Sequence, residues 1–190
     1  MERLKNTDGK RLYSIQTFFI VVNNIFRITK ERIKGCKIIA DKKQILHPKA
    51  EINIRGNGRL ELGAAVSAER GVLLGVRQDA VLHIGEAVGI NRNTCIVARE
   101  SIYIGNNVII APNVCIYDHD HGFPNPDDYV TAPIEIKDGT WIAANTVVLK
   151  GVTIGKNCTI AAGRVITNDI PDNTIVYQKR TDTLVQRSKI

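Results

Sequence analysis

Two of the four histidines stand two residues apart in the run DHDHG, as His119 and His121. Imidazole has an unperturbed pKa near neutral pH, so it suits proton transfer to and from a reacting group. Side chains two apart on a strand face the same side, so either histidine can serve the same site. Asp118 and Asp120 alternate with them and can orient an imidazole ring. The run opens the segment 118–133, DHDHGFPNPDDYVTAP, whose three prolines and four aspartates end the pattern on either side of it. It reads as a loop thrown out from a scaffold, and loops on rigid scaffolds are where chemistry is often placed.

The scaffold is legible as a repeat. Ile136, Ile142, Val148, Ile154, Ile160 and Ile166 stand six apart without a break. Four positions after the first four come Thr140, Thr146, Val152 and Cys158. Three positions after each of the six come Gly139, Asn145, Gly151, Asn157, Gly163 and Asp169. An earlier block repeats this with Ile104, Ile110 and Ile116 and the turn residues Asn107 and Asn113. One inward aliphatic per six residues is too sparse for an amphipathic helix. Gly, Asn and Asp tolerate the left-handed backbone conformation, so each six-residue unit reads as a short strand and a sharp corner. Three units close a triangular coil of eighteen residues, and stacked coils put like positions above one another. Residues 50–102 carry a looser version, with Ile52, Ile54, Leu60, Leu62, Ile84, Ile90 and Ile96 as candidate interior positions. Irregular first coils are expected there, with a two-residue slip of phase near 96–104.

Ahead of the repeat, residues 14–34 read as an amphipathic helix. Ile15, Phe18, Phe19, Val22, Ile25 and Phe26 form its stripe, Ser14 its N-cap and Gly35 its stop. Residues 1–45 hold 11 Lys/Arg against 4 Asp/Glu, while the remainder balances. A basic segment beside an apolar stripe suits a membrane surface, a nucleic acid or an anionic polymer, or else simply a solvated face. The expected cover for the stripe is the rest of the protein or a neighbouring subunit. Cys36, Cys95, Cys115 and Cys158 form no C-x-x-C pair and read as small buried residues in a reducing compartment. The polar start MERLKNTDGK reads as no secretory signal, and no apolar run approaches a membrane span, so a cytoplasmic protein is expected. The chain divides into 1–45, a β-coil region 46–176 and a tail 177–190.

The runs IGNNVIIAPNVCIYDHDHG (104–122) and GTWIAANTVVLKGVTIGKNCTIAAGRVITNDIPDN (139–173) resemble the hexapeptide acyltransferases. Within these, they are similar to the maltose and galactoside O-acetyltransferases and the bacterial surface-polysaccharide O-acetyltransferases. The resemblance, which runs from about residue 84 to 173, implies an all-β fold, a left-handed parallel β-helix, here with an N-terminal helix. It implies a homotrimer with active sites between subunits, acetyl-CoA as donor, no metal and no nucleic-acid partner. It places the general base on His121, with His119 as the alternative. Asn91 falls on an asparagine that lines the acetyl and acceptor site and Trp141 on a tryptophan flanking the cleft, and Asp118 is a further candidate for substrate binding. Ala144 and Ala162 match positions that meet CoA through backbone groups, and Thr167 and Asn168 match a pair near its nucleotide end. Many relatives carry serine at Ala144. The G-x-P-[AC] run after the last coil is replaced by YQKRTDT (177–183), leaving Lys179, Arg180 or Arg187 for the CoA phosphates. The maltose-type N-terminal domain is not recognisable here, and a basic amphipathic helix takes its place, which favours a polysaccharide or lipid-linked acceptor over free maltose.

Rival readings share the fold. His83 and His119 lie two nominal coils apart, and with His121 they could bind zinc as in a γ-carbonic anhydrase-like enzyme, although the phase slip disturbs their alignment. A non-catalytic scaffold and N-acetylation of an amino sugar are the others.

Overall fold

The structure, a computed structural model, describes residues 7–41 and 43–178, with side chains from residue 17 onward. Lys179, Arg180 and Arg187 lie outside the described residues, as does the side chain of Ile15.

Three parallel sheets form the faces of a triangular prism. The first holds Lys37–Ala40, Arg59–Leu62, Val81–Ile84, Ser101–Ile104, Ile134–Ile136 and Thr153–Ile154. The second holds Ile45–Leu46, Ser67–Ala68, Gly89–Ile90, Ile109–Ile110, Trp141–Ile142, Thr159–Ile160 and Ile175–Val176. The third holds Glu51–Ile54, Leu73–Val76, Cys95–Ala98, Cys115–Tyr117, Val147–Val148 and Val165–Ile166. The chain visits the faces in that order on every turn, forming a parallel β-helix consistent with the left-handed one the resemblance implies. Strands begin at Lys37, ahead of the boundary at 46 read from the repeat.

The expected columns appear as interior ladders. Ile136, Ile142, Val148, Ile154, Ile160 and Ile166 are all buried, and so are Thr140, Thr146, Val152 and Cys158. Each fully buried aliphatic contributes roughly 1.5–3 kcal/mol of hydrophobic transfer energy. The buried threonines are satisfied: Thr140 Oγ1 donates to Gly155 O at 2.8 Å and Thr94 Oγ1 to Ala111 O at 2.9 Å. Corners fall where the sequence puts Gly and Asn, with positive φ at Asn107, Asn113, Gly139, Asn145, Gly151, Asn157 and Gly163. Asp169 is not among them; the last such corner is Asn173.

The first coils are longer rather than irregular. On the first face the register runs from Lys37 to Arg59 and from Arg59 to Val81. Coils are long there because two of the three faces carry four-residue strands. The step from Val81 to Ser101 is shorter, and that from Glu135 to Thr153 is shorter again. This progressive shortening accounts for the slip of phase. The long coils hid their corners from a search for Gly and Asn, since Ala65, Gln78 and Ala87 also take positive φ.

The helix runs Thr7–Ile33, so Ser14 lies inside it and is not its cap. Gly35, with φ of 95°, does follow its end. The stripe packs differently from expectation. Phe18, Phe19, Ile25 and Phe26 are exposed, while Asn24 and Ile28 are buried. Asn24 Nδ2 donates to Gln44 O and Leu46 O, at 3.2 and 3.0 Å. Arg27 donates to His47 O and Ala50 O, and Arg32 to Ile38 O. Among the described residues no other coil stacks on the outer side of the first coil, so its outward carbonyls need donors. A polar helix face meets that need and the phenylalanine face cannot.

Candidate functional site

Segment 118–133 replaces a corner between the third and first faces, so that Ile102 pairs with Ile134 across the whole insertion. It is not strandless. His119–His121 pairs antiparallel with Tyr129–Thr131, forming a two-stranded ribbon. Pairing is possible because all three prolines, at 124, 126 and 133, fall outside the two paired stretches.

Asp118 anchors the ribbon. Its carboxylate is fully buried and accepts the N–H groups of Arg99 and Glu100 from the coil before, at 2.8–3.0 Å. It also lies 3.0 Å from His119 Nδ1. The His119 side chain is only 13% exposed and sits edge-on to both Tyr117 and Tyr129. His121 is exposed, its Nδ1 is 2.6 Å from Pro126 O, and its ring lies 4.8 Å from that of Tyr129. Since a carbonyl only accepts, Nδ1 of His121 carries the proton, and Nε2 is left as the acceptor. Both rings touch Tyr129, so they share a side as their spacing suggested. Neither aspartate orients His121: Asp118 pairs with His119, and Asp120 with Lys150 at 2.5 Å. The orienting group is the Pro126 carbonyl, which no side-chain pattern reveals. Tyr129 and Arg99 also escaped the sequence reading; the Arg99 guanidinium lies 3.2 Å over the Tyr129 ring. Only the folded ribbon brings them together.

The remaining candidates sort onto two corners. Asn91, Ala144 and Ala162 follow second-face strands and stand at the corner leading to the third face. Pro112, Ala144 and Ala162 occupy one column there; the N–H groups of the two alanines meet no acceptor among the described residues. Asn91 is exposed, its Oδ1 accepts the Arg92 N–H at 2.8 Å, and it borders a depression of about 180 Å³ with Ser67, Glu69, Gly89 and Ile109. Trp141 lies on the adjoining second face between Ile109 and Thr159, half-exposed as expected of an outward tryptophan. Thr167 and Asn168 follow a third-face strand instead, and stand at the corner of the histidine ribbon. One chain therefore keeps His119, His121, Thr167 and Asn168 apart from Asn91, Ala144 and Ala162, with the third face between the two sets.

The zinc triad does not assemble. His83 is on the first face, 2.9 Å from Glu61 and stacked on Tyr103 with ring centroids 4.7 Å apart. It is not on the corner of His119. Among the described residues no cluster of three or more His, Cys, Asp or Glu could hold a metal ion. Cys158 is buried as expected, but Cys36, Cys95 and Cys115 are only half-buried. Cys95 and Cys115 are register partners on the outside of the third face. Burial pushes the Cys95 thiol up, and burial with hydrogen bonding to Cys95 pushes the Tyr117 hydroxyl up.

The coiled parallel sheets and the extruded histidine ribbon are the features to set beside known proteins. Residues 133–168 match the bacterial transferase hexapeptide (six repeats) family. The chain is similar to galactoside O-acetyltransferase of Escherichia coli (strain K12), 38% identical over 98 residues, which cover 50% of this chain and 48% of that one. It is also similar to WbbJ of the same organism, named as a lipopolysaccharide biosynthesis O-acetyl transferase. That match is 25% identical over 177 residues and covers 86% of this chain and 85% of the other. The chain spans about half the length of the galactoside O-acetyltransferases it matches. Among solved structures, AntD, an N-acyltransferase from Bacillus cereus in complex with dTDP and 3-hydroxybutyryl-CoA, shares the fold. Its TM-score is 0.63 at 16% identity, covering 77% of this chain and 81% of that one.

Proposed function

We propose that the protein is an acetyl-CoA-dependent O-acetyltransferase that modifies a sugar hydroxyl of a bacterial surface polysaccharide or its precursor. The observation that carries this reading is His121, exposed on the ribbon with Nδ1 committed to Pro126 O and Nε2 free to accept. In the proposed reaction Nε2 takes the proton of the acceptor hydroxyl as its oxygen bonds to the thioester carbon. The tetrahedral oxyanion meets backbone N–H donors of the alanine column, where Ala144 supplies no hydroxyl. Collapse breaks the carbon–sulfur bond, and the imidazolium returns its proton to the departing CoA sulfur. His119, nearly enclosed and tied to Asp118, positions the ribbon.

The two-corner distribution supports a homotrimer. If the third face of each protomer points towards a threefold axis, the ribbon corner of one subunit meets the alanine corner of the next. Donor and acceptor then lie in a groove between subunits, with Trp141 and Asn91 on one wall and Thr167 and Asn168 on the other. The exposed Phe18, Phe19, Ile25 and Phe26, on a helix rich in lysine and arginine, fit peripheral contact with the inner face of an anionic membrane. No helix among the described residues is long and apolar enough to cross one. Unpaired thiols at neighbouring register positions suit the reducing cytoplasm.

The test is His121→Ala. Acetyl transfer should fall by orders of magnitude while calorimetric CoA binding and trimer mass persist. Activity like that of the unaltered protein would sink the assignment. Screening amines beside hydroxyls as acceptors separates O-transfer from N-transfer.

A further inference from the structure

The corner that carries the histidine ribbon also carries a column of arginines. Arg55, Arg77 and Arg99 follow the third-face strands of the first three coils at the same position. The Arg55 N–H donates to Val76 O and the Arg77 N–H to Ala98 O, which fixes their stacking. Adjacent strands lie about 4.8 Å apart, so three cationic side chains rise from one edge at that spacing. Burial and then the charges of Arg55 and Arg99 hold the Arg77 guanidinium below its ordinary value.

Little neutralises them. Arg77 donates to Asn53 O at 2.7 Å, to Val76 O at 3.2 Å and to Asn53 Oδ1 at 3.3 Å. Glu51 is the carboxylate whose charge reaches it. Among the described residues the guanidinium groups of Arg55 and Arg99 make no hydrogen bond or ion pair, and Arg99 Nε is buried without a partner. Arg77 lies against the outward side of Gly75, where a Cβ would stand 3.1 Å from Val97 Cγ2 and 3.4 Å from Arg77 Nη2. The column ends at the ribbon, where Arg99 covers the Tyr129 ring that touches both histidines.

We propose that this column binds a diphosphate carried by the acceptor, so that the sugar is acetylated while joined to a nucleoside or polyprenyl diphosphate. The inference rests on the acetyl-transfer reading. Guanidinium forks match phosphate oxygens in pairs, and stacked forks suit two linked phosphates. An anion there relieves the repulsion along the column, and Tyr129 sets the sugar end beside His121. The alanine column and Thr167 lie towards the C-terminal coils, so the arginines occupy the side of the ribbon left for the acceptor.

The probe is sodium pyrophosphate, titrated calorimetrically into the full chain at low ionic strength, with CoA titrated separately. Saturable binding is expected, weakened about tenfold or more by Arg77→Gln and by Arg55→Gln, and by added salt. The exposed Lys156→Gln serves as the charge control and should leave binding unchanged. Arg55 holds no other described side chain, so its variant tests the column even where Arg77→Gln fails to fold. Arg55-independent binding, or none, overturns the proposal. So does an equal loss of CoA affinity in the variants, which would give the column to the donor. Two further titrations identify the carrier, one with UDP-glucose and one with phosphatidylcholine vesicles bearing a polyprenyl diphosphate. Arginine-dependent binding of either supports the proposal, and binding of neither overturns it. Acetylation of a neutral glycoside without pyrophosphate binding would remove the column's role and leave the transferase reading standing.

Discussion

The Nδ1 atom of His121 lies 2.6 Å from the carbonyl oxygen of Pro126, further along the same ribbon. That contact fixes the tautomer and leaves Nε2 as the basic nitrogen. Its neighbour His119 commits its own Nδ1 to the buried Asp118, whose carboxylate also accepts two backbone N–H groups.

A split in kinetic behaviour is expected from this difference. His121→Ala should lower kcat about 10²–10⁴-fold, the usual contribution of a general base. His119→Ala should cost less in kcat. Steady-state kinetics of the two variants, with CoA binding as the check on folding, measure the split. Equal losses would move the base to His119.

Asp118→Asn should loosen the whole ribbon. The amide can orient only its oxygen towards donors, and its NH2 then faces the Arg99 or Glu100 N–H in a site with no water access. A buried unsatisfied donor costs about 1–3 kcal/mol. Thermal unfolding should show the loss as a lower Tm, and an unchanged Tm would contradict the anchoring role.

The corner asparagines predict a pair of outcomes. Asn145 has φ of 58° and accepts from Asn113 Nδ2 at 3.2 Å. Asn145→Ala should cost about 1 kcal/mol, since alanine is strained there. Asn145→Gly loses the side-chain bond but not the conformation, so it should cost less. Denaturant midpoints of the two variants test the order.

Helix and prism make a further contrast. Asn24→Leu removes both donors to Gln44 O and Leu46 O and should destabilise by about 1–3 kcal/mol. Phe18→Ser with Phe26→Ser should leave Tm unchanged and abolish binding to anionic vesicles. Vesicle binding that survives the double change would remove the membrane reading.

Alkaline pH should weaken the fold through the third face. Burial raises the Cys95 thiol and the Tyr117 hydroxyl above their ordinary values. A raised folded-state value means stability fully present below the unfolded-state value and lost as pH rises towards the folded one. For the thiol that loss begins at about pH 8.5. Urea midpoints measured from neutral to strongly alkaline pH should fall, and fall less in Cys95→Ala. An identical slope in the variant would contradict the assignment.

The six-residue spacing of Ile136 to Ile166 determined the solenoid on its own, because one inward aliphatic and one left-handed corner per unit leave few other ways to bury the chain. Gly139, Asn145 and Asn157 marked their corners for the same reason. In the longer early coils the marks fade, since a rigid stack holds Gln78 and Ala87 in the left-handed conformation despite its cost. The resemblance of 104–122 and 139–173 directed attention to His121 and Ala144, but no spacing told which residues share a corner. That depends on how many residues each face consumes, and it separates Asn91 from Thr167. The phenylalanines of the helix turned outward because unmet carbonyls at the open end of the first coil favoured Asn24 and Arg27. Pro126 O, Tyr129 and the arginine column were invisible for a like reason: backbone atoms, and residues a full coil apart, acquire a common purpose only when the coils are stacked.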